Sequence, residues 1–341
     1  MSLPRPFRCP RLAAPDPPTW GLPLSIYLAH RLFAAHDRAL AADLAQRIAA
    51  KTGSSERVFL PFCDTDQEDL VAEVKGRRLF ELDRDRLDRL DAMVAVLHGP
   101  SLDDGVCMEI GYAAACGVPV LVLTTDFQTY SLTEDGPCLA FPDPLLQAVA
   151  TRIVRVTKLA PPTPPSAPAH CRFTGFRSRN TTQTDTALDA TVDALLDLPD
   201  RAPRLVGPPA VNGAPVYVEP SPYTALGRDH LAEACADAGH TVAVPQRFTA
   251  TDPVAGALAD LTAVCSAARL LADVSGPETP PGTALLIGAA AASGVRIAAF
   301  QPRPTFTHAH GREPNWRNLM IQYAADAHLD NGEAVLSWLA A

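Results

Sequence analysis

Three carboxylates crowd the stretch Leu97–Val120, LHGPSLDDGVCMEIGYAAACGVPV: Asp103, Asp104 and, six positions after the first, Glu109. Carboxyl groups gathered in one crevice can divide the work of nucleophile and proton donor, because like charges held close raise the pKa of at least one of them. The same residues are also ordinary helix-starting chemistry, with an Asp N-cap and acidic side chains in the first turns. Residue type and spacing leave both readings open.

The elements around them favour a crevice. Met93–Leu97 is a short apolar run bounded by turn residues, which predicts a buried strand. A Gly-Pro turn follows, then the two aspartates, then an Ala-rich helix over 105–116 ended by Gly117. Strand, acidic loop and helix make half of a βαβ unit, and ligands of open parallel sheets sit outside the carboxyl ends of the strands. Glu109 falls about one turn into the helix, where the partial positive charge of the N-terminus favours an ionised carboxylate.

The preceding chain supplies the rest of such a sheet. Residues 1–23 are Pro-rich and predict an irregular arm; Leu24–Ala29 and Val58–Phe62 predict strands, and Arg31–Lys51 an amphipathic helix. Leu79–Leu90, LFELDRDRLDRL, predicts a helix with Leu79, Leu82, Leu87 and Leu90 as its buried stripe and its alternating charges on a solvated face. Val118–Thr124 predicts a strand and Leu145–Val156 a closing helix. Alternating β and α elements imply a parallel sheet covered on both faces.

From residue 158 to 214 the chain is Pro-rich around one helical segment, Asn180–Leu198, and reads as a linker. Beyond it the pattern restarts. Pro215-Val216-Tyr217-Val218 resembles Ser25-Ile26-Tyr27-Leu28, and GPETPPGTALLIGAAAASGVRI (276–297) aligns with GPSLDDGVCMEIGYAAACGVPV (99–120) without a gap, with ten of 22 positions identical. The fold class expected is α/β: two flavodoxin- or Rossmann-like parallel-sheet domains from an internal duplication, 24–157 and 215–341. At the offset of 177 residues that this alignment sets, Asp91 becomes Ala268, Asp103 becomes Pro280 and Glu109 becomes Leu286. The second copy is therefore expected to be degenerate.

Composition narrows the partners. A net charge of −9 over 341 residues argues against nucleic acid or an anionic membrane surface as a partner. No run of 18 apolar residues predicts a membrane span, and the N-terminal segment lacks the apolar core of a signal peptide. The eight cysteines show no metal-ligand or CxxC spacing, which predicts reduced thiols in a cytoplasmic protein with no metal site and no cofactor. The only close histidine pair is His308 and His310, read as a loop. Neither first strand is followed by G-x-G-x-x-G, which excludes a plain dinucleotide binder.

Asp103, five residues, then Glu109-Ile110-Gly111-Tyr112-Ala113, preceded by Asp91 and followed by Thr125-Asp126-Phe127, resembles the signature of the nucleoside 2-deoxyribosyltransferase family. Ile26-Tyr27-Leu28-Ala29 resembles that family's first strand, and the resemblance covers about residues 24–130. It implies a transferase that passes 2-deoxyribose between free nucleobases, with Glu109 as nucleophile and with Asp91 and Asp103 holding the base and relaying its proton. Tyr27, Asp104, Tyr112 and Asp126 would line the substrate. Asn318-Leu319-Met320 resembles the segment by which one subunit of the family reaches into its neighbour's site. The second copy would thus complete the first, unless Asn318 only caps a helix. Two other readings share the scaffold: a nucleoside or nucleotide N-glycosidase, and a non-catalytic nucleoside sensor. Pairing of the two-copy chain into a further homo-oligomer is left open.

Overall fold

Small and β-branched residues build two parallel sheets of the same order. The computed structural model describes residues 25–63, 72–99, 101–158, 171–203, 214–222, 228–302 and 318–341. The expected arm (1–23), the His308 and His310 pair, and Asn315, Trp316 and Arg317 lie outside the described residues. In the first half come β1 (Ile26–Ala29), α1 (Ala35–Thr52), β2 (Val58–Phe59), α2 (Ala72–Leu87), β3 (Ala92–Val96), α3 (Asp104–Ala115), β4 (Val120–Thr124), α4 (Pro144–Val149), β5 (Arg152–Arg155) and α5 (Arg172–Leu196). In the second come β6 (Val216–Glu219), α6 (Arg228–Asp237), β7 (Val242–Ala243), α7 (Pro253–Cys265), β8 (Arg269–Asp273), α8 (Pro281–Ser293), β9 (Arg296–Phe300), α9 (Leu319–Ala324), β10 (Ala327–Leu329) and α10 (Gly332–Ala340).

The strands run β2-β1-β3-β4-β5 in one sheet and β7-β6-β8-β9-β10 in the other, all parallel. In this order the chain reverses direction across the sheet between β1 and β3, and between β6 and β8. Open parallel sheets bind ligands at such a switch point. One apolar core lies between the two sheets and takes side chains from α2, α3 and α4 of the first half and α7, α8 and α9 of the second. Separate clusters cover the outer faces, with α1 and α5 on the first sheet and α6 and α10 on the second.

The two halves meet where α3 crosses α8. Every residue of α3 is buried, so this helix has no solvent face, in keeping with its Ala- and Gly-rich, apolar sequence. A Cβ at Gly111 would stand 1.9 Å from the Leu285 carbonyl oxygen, and one at Gly288 would stand 1.9 Å from that of Met108. Leu285 is Met108 displaced by 177 positions, and Gly288 is Gly111 displaced by the same amount. The contact is therefore reciprocal, as across a two-fold axis between subunits. Around it α4 packs on α7, and α9 packs on α2.

Three local expectations change. Residues 152–155 form strand β5 rather than the end of a helix: α4 stops at Val149, and Arg-Ile-Val-Arg pairs with β4 as a half-exposed edge. The helix placed within the linker is α5, whose Ala187, Leu188, Val192 and Leu195 pack on the first sheet with α1. It belongs to the first half's body, held by Arg47 of α1, which bonds Asp185 and Asp189 at 2.6 Å each. The second strand is two residues long and ends before Phe62, whose φ of 72° breaks the extended backbone.

Candidate functional site

β1 and α3 bring the first pair of functional groups together. Tyr27 faces the inter-sheet core midway along β1, and its hydroxyl donates to Glu109 Oε1 at 2.7 Å. Both are buried, Tyr27 at 0% exposure and Glu109 at 7%. The helix end expected to keep Glu109 ionised is overridden here. Burial pushes its carboxyl well above the usual range, the neighbouring charge of Asp83 adds to the rise, and the Tyr27 hydrogen bond opposes it.

Asp83 is the site residue that sequence reasoning missed. It lies on α2, four residues after the buried Leu79 and four before the buried Leu87, and is itself half-buried. Burial raises its pKa to about 7, and its charge acts on both Tyr27 and Glu109. The signal was present: a carboxylate at i+4 between two core leucines is out of place on an ordinary amphipathic helix.

Asp103 is the N-cap of α3, accepting from the Val106 N–H at 3.0 Å, and its other oxygen lies 3.8 Å from Arg31 Nε. Burial again raises its pKa, while the Val106 hydrogen bond and Arg31 oppose the rise. Arg31, which follows β1, also donates to the Ser101 carbonyl at 2.6 Å and so ties the β1 loop to the acidic loop. Asn318 reaches this mouth from the second half. Its Oδ1 accepts from the Met320 N–H at 2.9 Å and caps α9, while its amide lies against Gly105, so close that a Cβ there would stand 2.6 Å from Nδ2. Capping and reaching across are thus one arrangement rather than alternatives.

Other expected residues go elsewhere. Asp91 sits at the opposite end of β3 from the acidic loop, where its carboxylate accepts from the Ser25 N–H at 3.0 Å at the amino-terminal edge of the sheet. A strand of five residues separates the two ends by about 16 Å, so Asp91 is no partner for Glu109. Asp104 faces the second half, accepting from the Thr279 N–H at 3.4 Å; burial and the charges of Asp103 and Glu278 raise its pKa to about 7. Tyr112, one turn beyond Glu109, donates to Asp88 at 2.5 Å and fastens α3 to the end of α2. The Asp126 carboxylate accepts from the Gln128 N–H at 2.9 Å, closing its own loop after β4.

The arrangement that remains is Glu109 bonded to Tyr27 and within electrostatic reach of Asp83 and Asp103, with Asn318 of the second half against Gly105 in the first turn of α3. Among the described residues no three His, Cys, Asp or Glu side chains converge as metal ligands, and no helix is long and apolar enough to cross a membrane. A conserved protein from Enterococcus faecalis V583, known as a crystal structure, is 34% identical over 30% of this chain and 64% of its own, with a TM-score of 0.27. The chain thus spans less than two thirds of that protein's length. No curated protein matches the chain. Residues 26–183 match the family model of the nucleoside 2-deoxyribosyltransferases.

Proposed function

We propose that the chain transfers 2-deoxyribose between nucleobases with retention, through a covalent glycosyl ester on Glu109. The observation that supports this reading best is the buried Tyr27 to Glu109 hydrogen bond, with Asp83 acting on both groups. Burial raises the pKa values of Asp83, Asp103 and Glu109, which favours a proton shared among them. With that proton on a neighbouring aspartic acid, ionised Glu109 attacks C1′ while Tyr27 holds Oε1. The bond from C1′ to the base breaks, and the aspartic acid protonates the leaving nitrogen. An acceptor base then returns its proton to that aspartate and attacks C1′, and the ester bond breaks. Two inversions give net retention. Asn318 supplies a donor at the mouth and helps exclude water.

The test is base exchange with a deoxynucleoside and a different free base, followed chromatographically, in the wild-type chain and in Glu109→Gln. Exchange that depends on Glu109 supports the reading. Release of base and free sugar without exchange would show instead that water takes the acceptor's place.

A further inference from the structure

The second crevice has the same construction as the first, but it is filled from within. Tyr217 on β6 stands where β1 carries Tyr27, and Asp260 on α7 is Asp83 displaced by 177 positions, so one carboxylate of the site is retained in the second half. Leu286 replaces Glu109. Asp143, the N-cap of α4, reaches across from the first half onto Gly282, where a Cβ would lie 2.0 Å from its Oδ2, just as Asn318 reaches onto Gly105. Into this space projects Arg247, 1% exposed. Its guanidinium bonds Glu219 at 2.6 Å, Asp143 at 3.1 Å and Asp260 at 3.2 Å. Asp260 also accepts the backbone N–H groups of Gln246 and Arg247.

We infer that Arg247 is a built-in occupant of the second crevice that locks the two halves together and thereby positions Asn318 over the first. The α3 to α8 crossing is a contact of small apolar residues, and such packing is non-directional: it holds the halves together while leaving their mutual rotation weakly fixed. The charge-assisted bonds from Arg247 to Asp143 are directional and lie on one side of that crossing. Asn318 lies on the other side, at the equivalent helix N-terminus. Fixing the angle at one end fixes it at the other, so a residue that touches no substrate sets the roof of the working crevice. The kinetic part of this inference rests on the proposed transferase reading; the mechanical part does not.

The test compares Arg247→Met and Arg247→Lys in the full chain. Arg247→Met leaves buried carboxylates without their cation and should lower Tm by about 6–10 °C. Arg247→Lys restores the charge without the fork and should recover part of that shift. At 20 °C, with both variants folded by circular dichroism, hydrogen exchange over 318–324 should rise at least tenfold in Arg247→Met, with α1 unchanged. Base-exchange kcat should fall about tenfold with KM altered less than threefold, and adding Asn318→Ala should cause little further loss, because both changes remove one interaction. Unchanged exchange over 318–324 in Arg247→Met would overturn the lock. Fully multiplicative losses with Asn318→Ala would overturn the link to the roof. A wild-type chain without base exchange would reject the transferase reading alone, since the exchange-protection result stands independently of it. If Arg247→Met does not fold, Asp143→Asn, which keeps one acceptor oxygen and removes the charge, should show the same exchange signature at smaller amplitude.

Discussion

The two crevices share an address in the fold and differ in what holds their charge. In the first, Asp83, Asp103 and Glu109 gather beside Tyr27, and among the described residues Arg31, partly exposed at the mouth, is the arginine paired with them, 3.8 Å from Asp103. In the second, Arg247 is bonded by Asp143, Glu219 and Asp260, and Leu286 stands where Glu109 would be. Each crevice sets three carboxyl groups against one arginine: at the mouth in the first, buried among the carboxylates and bonded to all three in the second, where it makes a structural joint. The comparison sets two placements of charge side by side in corresponding positions of a single chain.

The sharpest way to break it is at Glu109. Glu109→Gln preserves the shape and an acceptor for Tyr27 but cannot form a glycosyl ester. Base exchange should fall by about three orders of magnitude or more with Tm little lowered. A Glu109→Gln chain with wild-type rates would remove the distinction between the crevices. Next comes Asp83→Asn, which should cost about 100-fold in kcat, most for bases that leave poorly without a proton. With the Asp83 pKa raised to about 7, its proton is lost as pH rises through 7, so the alkaline fall in wild-type kcat should start near there and change shape in Asp83→Asn. Asp91→Asn is the control, and it should leave kcat within twofold of wild type because Asp91 lies at the other end of β3.

The contrast between Asp83 and Asp91 also shows how far the residues could be read in advance. Alternating apolar runs announced both sheets, and the turn glycines shared by 99–120 and 276–297 announced that the halves correspond, because backbone geometry is dictated locally. Glu109 and Tyr27, named from the resemblance, lie on α3 and β1 and meet in a hydrogen bond that spans 82 positions of sequence. Asp91 was placed in the site by the resemblance alone, although its position ahead of β3 puts it at the end of the strand opposite the acidic loop. Asp83 was hidden among the alternating charges of LFELDRDRLDRL, where only its phase relative to Leu79 and Leu87 marks it. Leu82, placed on the buried stripe, is only partly buried. The closure of β5 and the docking of α5 depend on contacts with β4 and α1, which no local pattern encodes.

A smaller effect is expected from making the first crevice resemble the second. Asn318→Asp keeps the cap of α9, since either side chain accepts from the Met320 N–H, but brings a carboxylate to the position that Asp143 holds opposite Arg247. Arg31 at the mouth is already shared with Asp103 and Ser101, so the added charge should raise the Glu109 pKa further and slow exchange about tenfold. The acidic limb of the pH profile should move upward, because Glu109 must lose its proton before it attacks. An unchanged profile would mean that Asn318 does not sense Glu109. Asn318→Ala should cost a similar factor in kcat, plus about 1 kcal/mol of stability from the lost cap.

The smallest effect concerns the joint itself, at Asp104. Its carboxyl accepts from Thr279 across the two halves while crowded by Asp103 and Glu278, and its pKa is raised to about 7 from an ordinary value of 3.8. A raised folded-state pKa means that the folded chain holds a proton the unfolded chain has released between about pH 4 and 7. Stability is therefore greatest at the acid end of that window, declines as pH rises through it, and is flat above. Asp104→Asn keeps an oxygen for the Thr279 N–H but has no proton to lose. It should match wild type near pH 4.5 and exceed it at pH 8 by roughly 2 kcal/mol, or about 4 °C in Tm. The wild-type slope should shrink without vanishing, because Asp83, Asp103 and Glu109 titrate in the same direction. Thermal melts of the two proteins at pH 4.5, 6 and 8 measure this directly. A difference that is constant with pH would show that Asp104 is ionised throughout, and that the interface between the halves carries a charge rather than a proton.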